Sequence, residues 1–282
     1  MKILTFDIEE WFHLLDNEST QTEKEWGNFE SRIHKNMERI FAQLERNNVK
    51  STFFCVGWIA EKYPEIIKDI LYRGHEIGSH TRMHQLVYTQ NPSNFKADVE
   101  HSIKTLQDLS GKKIKYFRAP GFSITEENKW AFQVLAELGI ETDCSVFPSA
   151  RAHGGFPSYG APTPSIIKYN GIQLKELPIN YSTNFSREVI FSGGGYFRLF
   201  PYSLIKRWTR QSDYVMTYFH PRDFDAGQPV IEDLSRIRRF KSNVGIKGAE
   251  KKLDKWLRDF EFVDIKTADE MIDWEKVPVI DL

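Results

Sequence analysis

The 282 residues carry 38 Lys and Arg against 39 Asp and Glu, a formal net charge of −1, with no basic stripe of the kind that tracks a nucleic-acid backbone. Hydrophobic residues at 40% and charged residues at 27% give the balance of a globular chain, long enough for one large α/β domain or two small ones. No stretch approaches the roughly 18 apolar residues that span a bilayer. The apolar start, Met1–Phe6, is too short for a signal peptide and runs straight into acidic residues, so the expected address is the cytoplasm.

Two cysteines, Cys55 and Cys144, are too few for a disulfide framework and read as buried thiols. The densest basic cluster, Arg236–Arg239, reads as a solvated helix face. The 21 Phe, 11 Tyr and 7 Trp are compatible with a sugar-binding cleft and equally with an aromatic core.

In chain order, Lys2–Phe6 reads as a strand. Glu30–Arg46 is an amphipathic helix with Ile33, Met37, Ile40, Phe41 and Leu44 on one stripe. Ser51–Val56 is the next strand, and Pro64–Tyr72 a helix closed by Gly74. Glu76–Gly78 ends a strand, a helix follows over Asn94–Leu109, and Ile114–Phe117 is again a strand. Glu126–Leu138 and Ile140–Cys144 complete a further helix and strand. This alternation predicts parallel βα units. Residues 145–200 hold five prolines or glycines before residue 161 and the run Gly193-Gly194-Gly195, and predict an irregular insertion rather than a second domain. Order returns with a helix over Tyr202–Gln211, a strand over Tyr214–Phe219, a helix near Gly248–Asp259, and a last strand and helix over Glu261–Ile272. One barrel-like α/β domain fits this pattern, with its chemistry at the C-terminal ends of the strands.

The chemistry-bearing residues fall at those ends. Asp7 and Glu9 are two apart at the end of the first strand and share a face if it stays extended; one carboxylate then binds a metal while the other stays free as a base. His80 and His84, in Gly78-Ser79-His80-Thr81-Arg82-Met83-His84, have the spacing that puts two imidazoles on one side of a helical turn, where both ligate one ion. Arg118 precedes Ala119-Pro120-Gly121, a turn whose Gly121 N–H is approachable as an oxyanion donor; its guanidinium suits a carboxylate. Asp143 ends one strand, and His220 ends the apolar run Tyr214–Phe219.

The order of these motifs resembles the polysaccharide deacetylase (NodB-homology) family: an acidic pair, His-x-x-x-His, Arg-x-Pro, Asp, and a terminal His. The opening Asp7-Ile8-Glu9-Glu10-Trp11-Phe12-His13 is similar to the branch with an Asp-(Ile/Val)-Glu first motif, as are Gly193-Gly194-Gly195-Tyr196-Phe197-Arg198 and Tyr218-Phe219-His220-Pro221. The resemblance extends over nearly the whole chain and implies a distorted (β/α) barrel with an incomplete strand count. It implies Asp7 as general base, His80 and His84 as metal ligands, Arg118 as the tether of Asp7, Asp143 as the residue orienting His220, and His220 as the acid for the departing amine. The family's second aspartate is replaced by Ile8, which cannot coordinate. Glu9 is the substitute on the same face of the strand, with Glu10 as the fallback. Phe147 stands for the pocket aromatic, and His153, Tyr196 and Arg198, with Gly121, as lining of the substrate cleft; His13 either lines that cleft or approaches the metal.

The implied reaction is metal-dependent removal of an N-acyl group, N-acetyl first, from an amino sugar, with Zn²⁺ as first choice and Co²⁺, Ni²⁺ or Fe²⁺ as alternatives. The expected address makes the substrate an intermediate of surface-glycan assembly. Two other readings stand: a catalytically silent carbohydrate-binding protein on the same scaffold, and a deacylase of a non-sugar amide. Oligomeric state is not legible.

Overall fold

The computed structural model describes residues 1–15, 17–20, 22–150, 154–184, 187–231 and 234–282. Its strands are β1 (Lys2–Ile3), β2 (Thr5–Ile8), β3 (Thr52–Cys55), β4 (Glu76–Ser79), β5 (Tyr116–Phe117), β6 (Thr142–Asp143), β7 (Ser165–Tyr169), β8 (Ile172–Glu176), β9 (Ser182–Asn184), β10 (Arg187–Val189), β11 (Val215–Met216) and β12 (Val279–Asp281). Its helices are α1 (Glu23–Trp26), α2 (Ile33–Asn47), α3 (Gly57–Lys62), α4 (Pro64–Tyr72), α5 (Pro92–Ser110), α6 (Trp130–Glu137), α7 (Gly194–Leu199), α8 (Tyr202–Gln211), α9 (Arg236–Asn243), α10 (Ile246–Asp259) and α11 (Ile265–Met271).

Strands β2, β3, β4, β5 and β6 lie side by side in that order, all parallel. Parallel strands have both faces covered and lose the polar alternation of a half-exposed sheet; accordingly every residue of β2 and β3 is buried. The sheet continues through β8, β7 and β12. At its other edge the run from β11 to Phe219 lies against the N-terminal strand. β1 pairs with β11, and a parallel bridge joins Phe6 to Phe219. The sheet curves into an incomplete barrel: mixed α/β with a parallel core, not closed by a continuous ladder.

The first strand changes partner at Leu4, whose N–H donates to Val263 O while its carbonyl accepts from Thr52 N. The N-terminal segment is therefore an interior element of the sheet. α2 presents the expected stripe, with Ile33, Met37, Ile40, Phe41 and Leu44 all buried, and ends at Asn48 in the left-handed conformation common after a helix C-terminus. The cluster Arg236–Arg239 opens α9, an eight-residue helix with no buried residue.

Residues 145–200 depart from the irregular segment predicted. β7 and β8 form an antiparallel hairpin that joins the main sheet. Its turn is Asn170-Gly171, both at positive φ (45° and 82°), the pair that two-residue hairpin turns select. β9 and β10 make a second hairpin, and the glycine run opens α7.

Candidate metal and catalytic centre

β2 places Thr5 and Asp7 on one face, while Phe6 turns the other way to stack on Phe53, ring centroids 5.3 Å apart. Arg118, immediately after β5, is completely buried and reaches both. Its Nη1 donates to Thr5 Oγ1 and to Asp7 Oδ1, each at 2.8 Å. Nε donates to Cys144 O at 3.3 Å, Nη2 to Thr217 O at 3.4 Å, and the guanidinium carbon lies 4.3 Å from the Phe54 ring centroid. Buried charge is tolerable only when paired and hydrogen-bonded in this way. One carboxylate oxygen of Asp7 is thereby engaged, while Oδ2 faces His220 Nε2 at 3.8 Å.

Glu9 lies just past β2 and is buried against the segment 80–84. Its Oε2 is 2.7 Å from His84 Nε2. Ligand atoms of Glu9, His80 and His84 all fall within 4.8 Å of one another, the one such trio among the described residues. Segment 80–84 is not the helical turn predicted from its spacing. Thr81 and His84 instead take left-handed backbone, φ 63° and 52°, a conformation that costs a non-glycine residue about 1–3 kcal/mol. Thr81 Oγ1 accepts the His84 N–H at 3.0 Å, which holds the bend. His80 Nδ1–H donates to Arg118 O at 2.7 Å, so its Nε2 lone pair is left for a ligand.

Burial pushes His80 down to about 4, so the ring is neutral at neutral pH. Burial alone would raise Glu9, but His84 and His220 outweigh it and hold the carboxyl well below its ordinary range. Two imidazoles and one carboxylate are the donor set of a catalytic zinc-type site, and these residues fit a divalent ion. Glu10 faces elsewhere: Oε1 accepts from Arg32 N at 2.9 Å and Ile33 N at 3.1 Å, at the N-terminus of α2.

His220 follows the run from β11. Its Nε2 lies 3.8 Å from Asp7 Oδ2 and 3.9 Å from Glu9 Oε1. Burial alone would depress its pKa; the carboxylates of Glu9 and Asp223 instead lift it to about 9. The expectation that Asp143 orients His220 is not met. The partner is Asp223, whose Oδ2 lies 3.1 Å from His220 Nδ1 and accepts the His220 backbone N–H at 2.9 Å. Asp143 stands on β6, separated from β2 by β5, β4 and β3. There it accepts from Ser145 Oγ at 2.6 Å. Asp143 Oδ2 and Glu176 Oε2 are both buried and accept no hydrogen bond from any described residue. Burial raises Asp143 to about 6 and Glu176 well above its ordinary value, consistent with a protonated Glu176 donating to Asp143.

Arg198, expected in the substrate cleft, is turned inward. Its Nε lies 2.9 Å from Asp223 Oδ1; Nη1 donates to Ser242 O and Val244 O, and Nη2 to Lys241 O. Although burial alone would raise it, Arg198 and His220 hold the Asp223 carboxyl below its ordinary value. Tyr196, on α7, is exposed, whereas Phe147 is buried against Phe122 and Tyr218. Gly121 sits in the turn after Arg118 at φ 61°. His13 is buried, stacked on His84 with centroids 5.8 Å apart, and is not one of the convergent trio. His153 lies outside the described residues.

Residues 17–142 match the family described as polysaccharide deacetylase, and residues 144–270 match one described as a domain of unknown function, DUF3473. A peptidoglycan-N-acetylglucosamine deacetylase of Bacillus cereus is 37% identical over 108 residues, 37% of this chain and 39% of that protein. Chitin deacetylase 1 of Saccharomyces cerevisiae is 35% identical over 79 residues, 28% of this chain and 26% of that one. The chain thus spans well under half the length of these relatives. A crystal structure from Mycobacterium smegmatis, provisionally described as a polysaccharide deacetylase, has the same fold: TM-score 0.64 at 18% identity, over 98% of this chain and 90% of that one.

Proposed function

We propose that this chain, whose residues 17–142 match the polysaccharide deacetylase family, is a metal-dependent hydrolase removing an N-acyl group, N-acetyl first, from an amino sugar. The observation that carries this reading is the meeting of three ligand-type side chains, Glu9, His80 and His84, beside a carboxylate outside the trio, Asp7, with His220 facing both.

A divalent ion on that trio, Zn²⁺ first with Co²⁺, Ni²⁺ or Fe²⁺ as alternatives, supplies Lewis acidity to the amide carbonyl and the attacking water. Asp7 Oδ2, left free because Arg118 engages Oδ1, takes the proton of that water as general base. The Gly121 N–H is the candidate donor to the oxyanion. As the carbon–nitrogen bond breaks, its electron pair stays on nitrogen and the proton on His220 Nε2 goes to that nitrogen. The products are an amine and a carboxylate.

We read residues 1–282 as one deacetylase domain, a view supported by the way β3–β6 and β7–β8, from the two matched stretches, share a single sheet. A substrate met in the cytoplasm as a nucleotide- or lipid-linked intermediate of surface-glycan assembly is the accompanying proposal, and cell fractionation checks that address. No helix among the described residues is long and apolar enough to cross a membrane.

The reaction is tested by stripping metal with a chelator, restoring Zn²⁺, and measuring acetate release from N-acetylglucosamine oligomers and peptidoglycan fragments. Release lost on stripping and regained with Zn²⁺ is expected. Undiminished release from the metal-free protein overturns the mechanism. Full metal binding with no turnover on any N-acyl sugar favours the silent carbohydrate-binding reading.

A further inference from the structure

A proton donor must be aimed as well as charged, and His220 is aimed by its own loop. Pro221 begins a 3₁₀ turn, Pro221–Phe224, that brings the Asp223 side chain back over His220. Asp223 Oδ2 engages the ring Nδ1 at 3.1 Å and the main-chain N–H at 2.9 Å, fixing both the side chain and its attachment point. The other oxygen is 2.9 Å from Arg198 Nε. Arg198 is in turn tied to three backbone carbonyls where α9 meets α10: Lys241, Ser242 and Val244. His220 Nε2 is left pointing into the space between Asp7 and Glu9.

We propose that Asp223, braced by Arg198, is the positioning residue of this centre, holding His220 with a proton on Nδ1 and presenting Nε2 to the leaving nitrogen; this rests on the reading of His220 as the acid. When Nε2 gives up its proton the ring is left as the neutral Nδ1–H form, already hydrogen-bonded to Asp223, so the carboxylate never has to change protonation. A carboxylate that orients an imidazole this way fixes its tautomer and direction. Arg198, His220 and Asp223 all fall in residues 144–270, the stretch matched to a domain of unknown function. That stretch then has a defined role in the reaction, supplying the acid and locking it in place.

The experiment compares the zinc-loaded wild type with Asp223→Asn, Asp223→Glu and Arg198→Lys on N-acetylglucosamine oligomers, alongside ring ¹⁵N spectra of His220 in metal-free protein. Asp223→Asn is expected to lower kcat by about 100-fold, the scale of general acid–base assistance, with KM within about threefold and one zinc still bound. Asp223→Glu and Arg198→Lys should fall between the two. In the spectra, neutral His220 should carry its proton on Nδ1 in the wild type and distribute it over both nitrogens in Asp223→Asn. A folded Asp223→Asn protein with unchanged kcat overturns the proposal, as does a neutral wild-type ring protonated on Nε2. The spectra decide the matter even if a variant fails to fold. A wild type with no deacetylase activity sinks the proposed reaction, and the spectra still test the positioning.

Discussion

Glu9 and Glu10 are neighbours in the chain, yet their carboxylates serve different structures. Glu9 Oε2 lies 2.7 Å from His84 Nε2, while Glu10 Oε1 takes the backbone N–H groups of Arg32 and Ile33 at the head of α2. The strand ends at Ile8, and the chain beyond it sends successive side chains apart.

Replacing each by glutamine therefore separates two properties. Glu9→Gln should weaken Zn²⁺ binding by more than about 100-fold, read by titration against a competing chelator. Glu10→Gln should leave zinc affinity unchanged and cost about 0.3–1 kcal/mol of stability, the range for a negative charge lost from a helix N-terminus, read by urea unfolding.

Arg118 joins Thr5, Asp7, Cys144 and Thr217, residues from three separate segments. Arg118→Met leaves the buried Asp7 carboxylate without its partner, and a loss of about 3–5 kcal/mol is expected. Arg118→Lys keeps the charge but not the fork. It should fold and bind zinc yet lose most of its turnover, because Asp7 Oδ2 is no longer held towards His220.

The buried pair Asp143–Glu176 should make stability depend on pH in the opposite sense to an ordinary ion pair. Both folded-state values lie above ordinary ones, Asp143 at about 6 and Glu176 well above its usual range, so the folded protein keeps protons that the unfolded chain has released. Their contribution is full below the unfolded values of 3.8 and 4.5 and is lost as pH rises through the folded ones. Glu176→Gln keeps an N–H donor for Asp143 and has no proton to retain. Its stability relative to wild type should rise with pH above 4.5, by up to about 1.4 kcal/mol per pH unit until Glu176 itself titrates in the folded protein, measured by denaturation between pH 5 and 8.

Gly193 has extended backbone, so its value is space. A Cβ there would fall 2.2 Å from Tyr218 O, on the segment that delivers His220. Gly193→Ala should destabilise by about 1–3 kcal/mol and reduce kcat more than zinc affinity, since Glu9, His80 and His84 lie on other elements.

The βα alternation, the stripe of α2 and the strand-end placement of Asp7, His80 and Arg118 are legible because hydrophobic period and chain order carry them. The hairpin β7–β8 carries a local signal too: Asn170-Gly171 between two short alternating runs is a strong turn cue, obscured by the prolines and glycines around it. Spacing alone cannot distinguish a helical His-x-x-x-His from the bent loop observed, because left-handed Thr81 and His84 are imposed by neighbouring structure and not by their own preferences. The assignment of Asp143 to His220 comes with the resemblance and does not carry over to this chain, where Asp143 accepts from Ser145 and the His220 ring faces Asp223. The partner is three residues away in Pro221-Arg222-Asp223, where a proline that starts a turn followed by an acidic residue offers a local cue.

The sandwiching of the first strand between β3 and the run from β11 has a consequence for biosynthesis. A nascent chain emerging from the ribosome holds Glu9, His80 and His84 long before residue 220 exists, so it can acquire ion-binding capacity while still lacking a proton donor. Until the later run arrives, β2 presents an unpaired edge, and such edges invite wrong partners. Truncation ahead of β11 should therefore yield an aggregation-prone species that sequesters zinc yet hydrolyses nothing, and contacts between such distant parts of the chain make slow assembly the expected course.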